Sequence, residues 1–174
     1  RFIQASKSLW WLYLLITIIC GFSLTIFGMS PFDSVIHALS TISTGGFSSK
    51  SLGINEFSSI SIELVICIFM LLGSLNFTLY WAVANGKWKE VLSEGELKYL
   101  IGIIIIYLII GIFISLTYTN NNIAESFRVS LFNILSSVTT TGYYLISKDN
   151  SNYISIMYIL FATLMLIGGA SVST

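Results

Sequence analysis

The sequence is poor in charged side chains and in proline. Only 9% of its 174 residues are charged, and Lys plus Arg balance Asp plus Glu at 8 each. Soluble domains carry about 25% charged residues, so this composition argues against a soluble enzyme domain. The even balance leaves no basic surface for nucleic acid. One proline excludes Pro-rich and collagen-like classes. Cys20 and Cys67 lie in apolar runs and form neither a metal-ligand spacing nor a disulfide framework.

The sequence is instead rich in long apolar runs. They cover residues 9–27, 60–84, 99–117 and 153–167. About 20 apolar residues in a helix cross a hydrocarbon core of about 30 Å, so the first three are long enough to span a membrane. The fourth is short unless its helix continues past Gly168. We therefore predict an all-α membrane protein, and we expect the chain to be a section of a longer one.

Two shorter segments lie between the runs, at 31–41 and 123–137. The shorter of them would be roughly 16 Å long as a helix, which is too short to span and typical of re-entrant helices. Each opens with helix-start residues, namely a capping side chain followed by Pro or an acid in the first turn. These residues are Ser30, Pro31 and Asp33 for the first segment and Asn122 and Glu125 for the second.

Both short segments end in similar Thr/Gly sequences that align without gaps 96 residues apart. Loop one consists of Ser43, Thr44, Gly45, Gly46 and Phe47, and loop two of Thr139, Thr140, Thr141, Gly142 and Tyr143. The same offset aligns the runs themselves. The pattern is an internal repeat of transmembrane helix, pore helix, filter loop and transmembrane helix, a potassium-channel-like arrangement common in transporters. We assign one repeat to 1–85, a cytoplasmic linker to 86–98 and a second repeat to 99–174.

The loops favour the binding of a monovalent cation. Non-helical backbone at membrane depth is tolerated where it is buried in protein or lines a watery path. Backbone carbonyls and Thr hydroxyls can replace the hydration shell of a cation, and the C-terminal end of each short helix favours positive charge. Neither loop contains a carboxylate, which suits a weakly held, mobile ion. The alternative is that both loops are capped helix ends in an ordinary helical bundle.

Three further features allow a structural or a functional interpretation. Gly168, Gly169, Ala170 and Ser171 interrupt the fourth run, and we predict a helix break that acts as a gate; close helix packing is the alternative. Glu63 lies one turn into the second span, where it is either functional or reaches the headgroups. His37, the one histidine, is better explained as a packed or hydrogen-bonded residue than as a proton sensor.

The positions of Lys and Arg predict the orientation in the membrane. Five lie on the side of the termini and the linker and three on the side of the loops, so the linker is predicted to be cytoplasmic and the loops to open outward. The two sets are Arg1, Lys7, Lys87, Lys89 and Lys98, and Lys50, Arg128 and Lys148.

Over nearly all its length the chain resembles the TrkH/KtrB/HKT superfamily of potassium transporters, and TrkH-type members most closely. The resemblance lies in the order and spacing of short motifs. They are Gly28-Met29-Ser30-Pro31-Phe32-Asp33-Ser34, Ser43-Thr44-Gly45-Gly46-Phe47-Ser48, Gly73-Ser74-Leu75-Asn76-Phe77, Thr139-Thr140-Thr141-Gly142-Tyr143 and Gly168-Gly169-Ala170-Ser171.

The resemblance implies four repeats around one pore, of which these are the second and third. It implies that Gly46 and Gly142 are filter glycines with Thr44 and Thr141 beside them, and that the run from Gly168 begins an intramembrane gating loop. It also implies a bacterial inner-membrane location, a homodimer and a cytosolic nucleotide-binding regulatory subunit. No cofactor is expected in this chain itself; potassium is the transported ion.

Two other classes remain open from the sequence. One is a secondary transporter of another fold, whose broken helices bind an ion or solute near mid-membrane. The other is a membrane scaffold subunit that does not conduct. An enzyme is not predicted, because the sequence has one His, no metal-ligand cluster and no buried acid pair.

Overall fold

The computed structural model describes residues 2–84, 86–87, 95–118, 122–145 and 151–172. Within these ranges the regular elements are all helical, as the sequence predicts. They are α1 (Phe2–Ile26), α2 (Pro31–Ile42), a 3-10 helix (Gly53–Phe57), α3 (Ile60–Ser74), α4 (Phe77–Ala84), α5 (Gly95–Tyr118), α6 (Ile123–Val138) and α7 (Ser151–Val172).

Helix α2 begins with the predicted cap. The Ser30 hydroxyl accepts from the Asp33 amide at 3.1 Å and donates to the Asp33 carboxylate at 2.7 Å, and Pro31 occupies the first turn. These bonds satisfy one of the amides that the first turn leaves without a helical partner. Helix α6 begins differently from the prediction. Asn122 occupies the cap position with extended backbone, but its side chain makes no capping hydrogen bond.

The helices form two units. Helix α1 packs on α2 and α3, and α5 packs on α6 and α7. The two units join where α3 packs against α6. Each short helix therefore packs against two longer helices of its own unit. This arrangement brings loop one and loop two together.

The second apolar run is not one helix. Helix α3 ends at Ser74, Leu75 is extended (φ −70°, ψ 142°), and α4 begins at Phe77. Side chains take up the carbonyls that the break releases: the Ser74 hydroxyl donates to Leu71 O, and the Tyr80 hydroxyl donates to Leu72 O. The break therefore lies in the first unit, at the end of α3.

The predicted helix break at Gly168, Gly169, Ala170 and Ser171 is wrong, because α7 is helical from Ser151 to Val172. Two glycines cost about 1 kcal/mol each in a helix relative to alanine, which tertiary packing can offset. Gly168 provides that packing: a Cβ there would lie 2.1 Å from Val138 O, so only glycine fits against the end of α6. Helix α7 is thus longer than the apolar run 153–167 that predicted it.

The predicted linker overlaps the start of a helix. Residues 95–98 belong to α5, and residues 88–94, the central part of the predicted linker, lie outside the described residues.

Within the described ranges, two helices are long and apolar enough to cross a membrane. They cover Leu9–Ile26 and Lys98–Tyr118, and only 17% and 11% of these segments is buried within the protein. Long apolar helices with exposed side chains are typical of lipid-facing surfaces. The short helix α2 shows the reverse polarity, since it buries polar His37 and Thr41 and exposes apolar Phe32 and Leu39. The described part of α2 thus has a polar inner face and an apolar outer face.

Candidate functional site

Loop one begins at the end of α2, where Thr44 has a left-handed backbone conformation. The Thr44 amide donates to Thr41 O at 3.1 Å, and the Gly45 amide donates to Ser40 O at 2.7 Å. These two bonds define a Schellman motif, which satisfies the last carbonyls of a helix. The Ser40 hydroxyl then accepts from the Phe47 amide at 2.6 Å, so loop one is bonded to its own helix at both ends.

Loop two repeats this motif 96 residues later. The Thr140 amide donates to Ser137 O at 3.1 Å, and the Thr141 amide donates to Ser136 O at 2.9 Å. The Thr139 hydroxyl donates to Leu135 O at 2.8 Å, so the hydrogen bond of 2.8 Å between Thr139 and Thr141 is donated by Thr141. Loop two therefore holds two of its hydroxyls in an internal chain.

Threonine occupies the strained position in both motifs. Thr44 has φ 51° and Thr140 has φ 56°, in the region that β-branched residues rarely enter. Glycine is the usual residue at this point of a helix end. Strain of this kind costs about 1–3 kcal/mol and is most common at functional sites. Its recurrence at matched positions of two loops argues that the threonine side chains are needed there.

The two loops touch through backbone. Gly46 has φ 66°, and a Cβ on it would lie 2.2 Å from Thr141 O and 3.1 Å from the carbonyl carbon of Gly142. The equivalent Gly142 has φ 92°, and a Cβ there would meet no atom within 4 Å. Gly46 is therefore required by conformation and by close approach, whereas Gly142 is required by conformation alone.

Tyr143 of loop two makes hydrogen bonds and a ring contact with the first unit. Its hydroxyl donates to Phe47 O at 3.3 Å and accepts from the Thr41 hydroxyl at 3.3 Å. Its ring stacks on His37 with centroids 6.2 Å apart. Phe47, at the equivalent position of loop one, has a side chain that is 76% exposed. The predicted loop residues thus differ in surroundings: Phe47 and Gly142 are exposed, and Tyr143 is buried.

A cavity of about 460 Å³ lies at the junction of the loops. Its lining includes Gly46, Ser48, Asn55, Gly142 and Tyr144. The Asn55 amide donates to Tyr144 O at 3.1 Å across it, so the segment after loop one is joined to the segment after loop two. The segments that leave both loops therefore line this one cavity.

An ionic cluster stabilises the start of α2. The Asp33 carboxylate accepts from the Ser49 hydroxyl at 2.5 Å and lies 3.5 Å from the Lys50 ammonium. The hydrogen bonds from Ser49 and Ser30, together with the charge of Lys50, lower the pKa of the Asp33 carboxyl. Because Ser49 and Lys50 closely follow loop one, this cluster attaches the end of the loop to the start of its helix.

Glu63 forms an ion pair inside the protein. It is buried, and its two carboxylate oxygens accept from Nη1 of Arg128 at 3.2 and 3.4 Å. The pair connects α3 of the first unit with α6 of the second. Sequence reasoning missed Arg128 as its partner, because 65 residues separate the two and no local pattern links them.

Together these residues form two matched helix–loop units inside a helical membrane protein. Backbone carbonyls and threonine hydroxyls are present in both loops, which meet at Gly46 and Thr141, and no carboxylate lies in either loop. Such a set of oxygens can replace water around a weakly bound cation.

The chain belongs to the TrkH family. The family model, described as a cation transport protein, matches residues 3–100. A TrkH potassium uptake protein of Vibrio parahaemolyticus is 32% identical over 82% of this chain and 30% of its own length. One from Halomonas elongata is 29% identical over the whole chain and 36% of its own length. The chain thus spans about a third of these relatives.

A solved structure supports the same fold. The crystal structure of the potassium transporter TrkH from Vibrio parahaemolyticus superposes with a TM-score of 0.82 and 28% identity. The match covers 92% of this chain and 36% of the other. The alternative of a transporter with a different broken-helix fold is therefore wrong.

Proposed function

We propose that this chain forms part of the wall of a potassium uptake pore, with loop one and loop two as two of its filter segments. The observation that carries the proposal is the contact of Gly46 with the backbone of Thr141 and Gly142. Two loops of matched conformation meet there through their main chains, and the ligands of the ion would be carbonyl oxygens of both loops. Potassium would exchange hydration water for these oxygens on its way inward.

The chemistry of the loops favours potassium over a divalent ion. Neither loop contains a carboxylate, whereas sites for calcium use several. The C-terminal ends of α2 and α6 add partial negative charge near the loops. That charge attracts a monovalent cation without holding it tightly. The names of the relatives, potassium uptake proteins, agree with this proposal.

The chain supplies the second and third of four repeats in this proposal. The protein lies in a bacterial inner membrane, with the linker in the cytoplasm and the loops open to the outside. It forms a homodimer and binds a cytosolic nucleotide-binding regulatory subunit. The gating element in this proposal is the short run from Gly168 to Ser171, where α7 is unbroken and Gly168 packs closely against Val138.

Rubidium uptake by the full-length parent protein tests the proposal, in cells that lack their own potassium uptake. We expect uptake that potassium competes for. Gly142→Ala should reduce it at least tenfold, since a Cβ at φ 92° costs about 1–2 kcal/mol and must shift the loop. Gly46→Ala should have a larger effect because its Cβ also collides with Thr141 O.

The matched control is Gly28→Ala. Gly28 has φ 98° and, like Gly142, would place a Cβ with no atom within 4 Å, but it lies outside both loops. The two substitutions introduce similar backbone strain, so membrane levels should fall equally while only Gly142→Ala loses uptake per molecule. Uptake that is indifferent to both loop glycines, in variants that reach the membrane, would favour the scaffold interpretation.

A further inference from the structure

His37 and Asn133 occupy equivalent positions on the two short helices. They lie 96 residues apart, the same offset that relates the loops. Both side chains are buried, with 0% and 3% of their surface exposed. Two different polar residues thus take the same place behind the two loops, where a buried polar group needs hydrogen-bond partners.

His37 binds the segment that leaves loop one. Its Nδ1 lies 2.8 Å from Asp33 O, and its Nε2 lies 2.9 Å from the Ser48 hydroxyl. A carbonyl only accepts, so we assign the ring proton to Nδ1 and the acceptor role towards the Ser48 hydroxyl to Nε2. The Ser48 oxygen in turn accepts from the Lys50 amide at 3.1 Å. One side chain therefore connects the helix to the chain just beyond Phe47.

Asn133 binds the segment that leaves loop two, and it does so directly. Its Oδ1 accepts from the Leu145 amide at 2.8 Å, and its Nδ2 donates to Leu145 O at 2.9 Å. Both backbone groups of one residue are thus held by one side chain. Leu145 lies two residues after Tyr143, much as Ser48 lies one residue after Phe47.

We propose that His37 and Asn133 are positioning residues that fix the exit of each loop and thereby the direction of its carbonyls. The proposal rests on the proposed function of the loops. Each loop is held at its entry by the helix-end motif, and this side chain binds the segment that leaves it; at loop one the hydroxyl of Ser40 and the carboxylate of Asp33 add further bonds near the exit. Freeing the exit lets the glycine of the loop rotate, so we expect discrimination between potassium and sodium to fall before assembly fails.

The test uses the full-length protein and a double-mutant cycle. His37→Leu and Ser48→Ala each remove the same hydrogen bond, so each should weaken discrimination of rubidium against sodium about tenfold, with no further loss in the double variant. His37→Gln should retain discrimination, because its side-chain oxygen can accept from Ser48 where Nε2 did. Asn133→Leu, which frees the exit of loop two, should also weaken discrimination of rubidium against sodium.

Ser126→Ala is the matched control. The Ser126 hydroxyl is buried on α6 and accepts from Ser115 at 3.0 Å, so it lies on the same helix and holds α5 rather than a loop. It should leave discrimination unchanged. The proposal is overturned if His37→Gln loses as much as His37→Leu, if the two single losses add, or if Ser126→Ala matches Asn133→Leu.

Hydrogen exchange separates this proposal from the function on which it rests. In purified full-length protein, Asn133→Leu should speed exchange in the peptide that contains Leu145 at least tenfold, and Ser126→Ala should not. Absence of rubidium uptake by the wild type would refute the proposed function without affecting this measurement. Equal exchange in both variants would refute the positioning role whatever the uptake shows.

Discussion

The carboxylate of Glu63 and the guanidinium of Arg128 form an ion pair between the two units of the protein. One nitrogen of Arg128 lies 3.2 and 3.4 Å from the two oxygens of Glu63. Neither charge recurs at the equivalent position of the other unit, where Phe32 and Ile159 stand. The pair therefore belongs to the contact between units and is absent from the repeated fold.

We predict that Arg128→Leu destabilises the full-length protein by about 2 kcal/mol, less than the 3–5 kcal/mol of a fully buried pair because the Arg128 side chain is 35% exposed. The substitution leaves Glu63 buried without its partner. Adding Glu63→Leu should restore most of the stability. Thermal unfolding in detergent measures both, and a double variant no more stable than Arg128→Leu would contradict the interpretation.

We predict that Thr44→Gly and Thr140→Gly relieve backbone strain but reduce ion uptake. Glycine relieves the left-handed conformation of these residues, so thermal stability should be unchanged or rise by up to about 1 kcal/mol. Rubidium uptake should fall nonetheless, since the hydroxyls are lost. Ser58→Gly is the control, because Ser58 is also left-handed (φ 46°) but lies outside the loops. Uptake equal to that of wild type would show that the loop threonines are dispensable.

We predict that Tyr143→Phe weakens the contact between the loops without removing the ring. The bonds to Phe47 O and to the Thr41 hydroxyl are lost, which should cost about 1 kcal/mol. Tyr158→Phe changes an exposed tyrosine and should have no effect on unfolding. The comparison is made by thermal unfolding, and a stability loss shared by both variants would assign the effect to something other than the loop contact.

We predict opposite effects for two glycine-to-alanine substitutions within helices. Gly102→Ala meets no atom within 4 Å and should stabilise α5 by up to about 1 kcal/mol. Gly168→Ala places a Cβ 2.1 Å from Val138 O and should destabilise the protein although alanine favours the helix. Unfolding temperatures of the two variants distinguish these effects. Stabilisation by both would mean that α7 does not need close approach to α6.

We predict that the contribution of Asp33 to stability depends on acidity. Its carboxyl has a lowered pKa, so the contribution is fully present above the unfolded value of about 3.9 and disappears as pH falls through the lower folded value. Asp33→Asn should therefore unfold at a lower temperature than wild type near neutral pH and at the same temperature in strong acid. Glu56→Gln, at another acid of the same unit, controls for net charge.

Much of the fold could be predicted from local signals. Apolar runs predicted the long helices, and the cap at Ser30 with Pro31 placed the start of α2. The offset of 96 residues predicted that the loops are equivalent. Applied to the whole short helix, the same offset would also have aligned His37 with Asn133.

The errors arose where packing outweighs propensity. The Gly168 run predicted a break because glycine disfavours helix, yet the approach of α7 to Val138 O requires glycine in that helix. Conversely, the break after Ser74 falls within the run 60–84, where the offset of 96 residues aligns Gly73 and Ser74 with Gly169 and Ala170. Ser74 and Tyr80 take up the released carbonyls there through side-chain contacts. Glu63 and Arg128 meet only through the packing of α3 on α6.

The contact made by Tyr143 has a direction. Its ring belongs to the second unit and lies in a site formed by the first, while Phe47, the same position of the first unit, is exposed. A contact between two unlike faces leaves one unused face on each of the two partners. Further copies of the same contact either extend along a line or close into a ring. The contact of Tyr143, together with the packing of α3 on α6, therefore helps to set the angle between neighbouring units around a common axis.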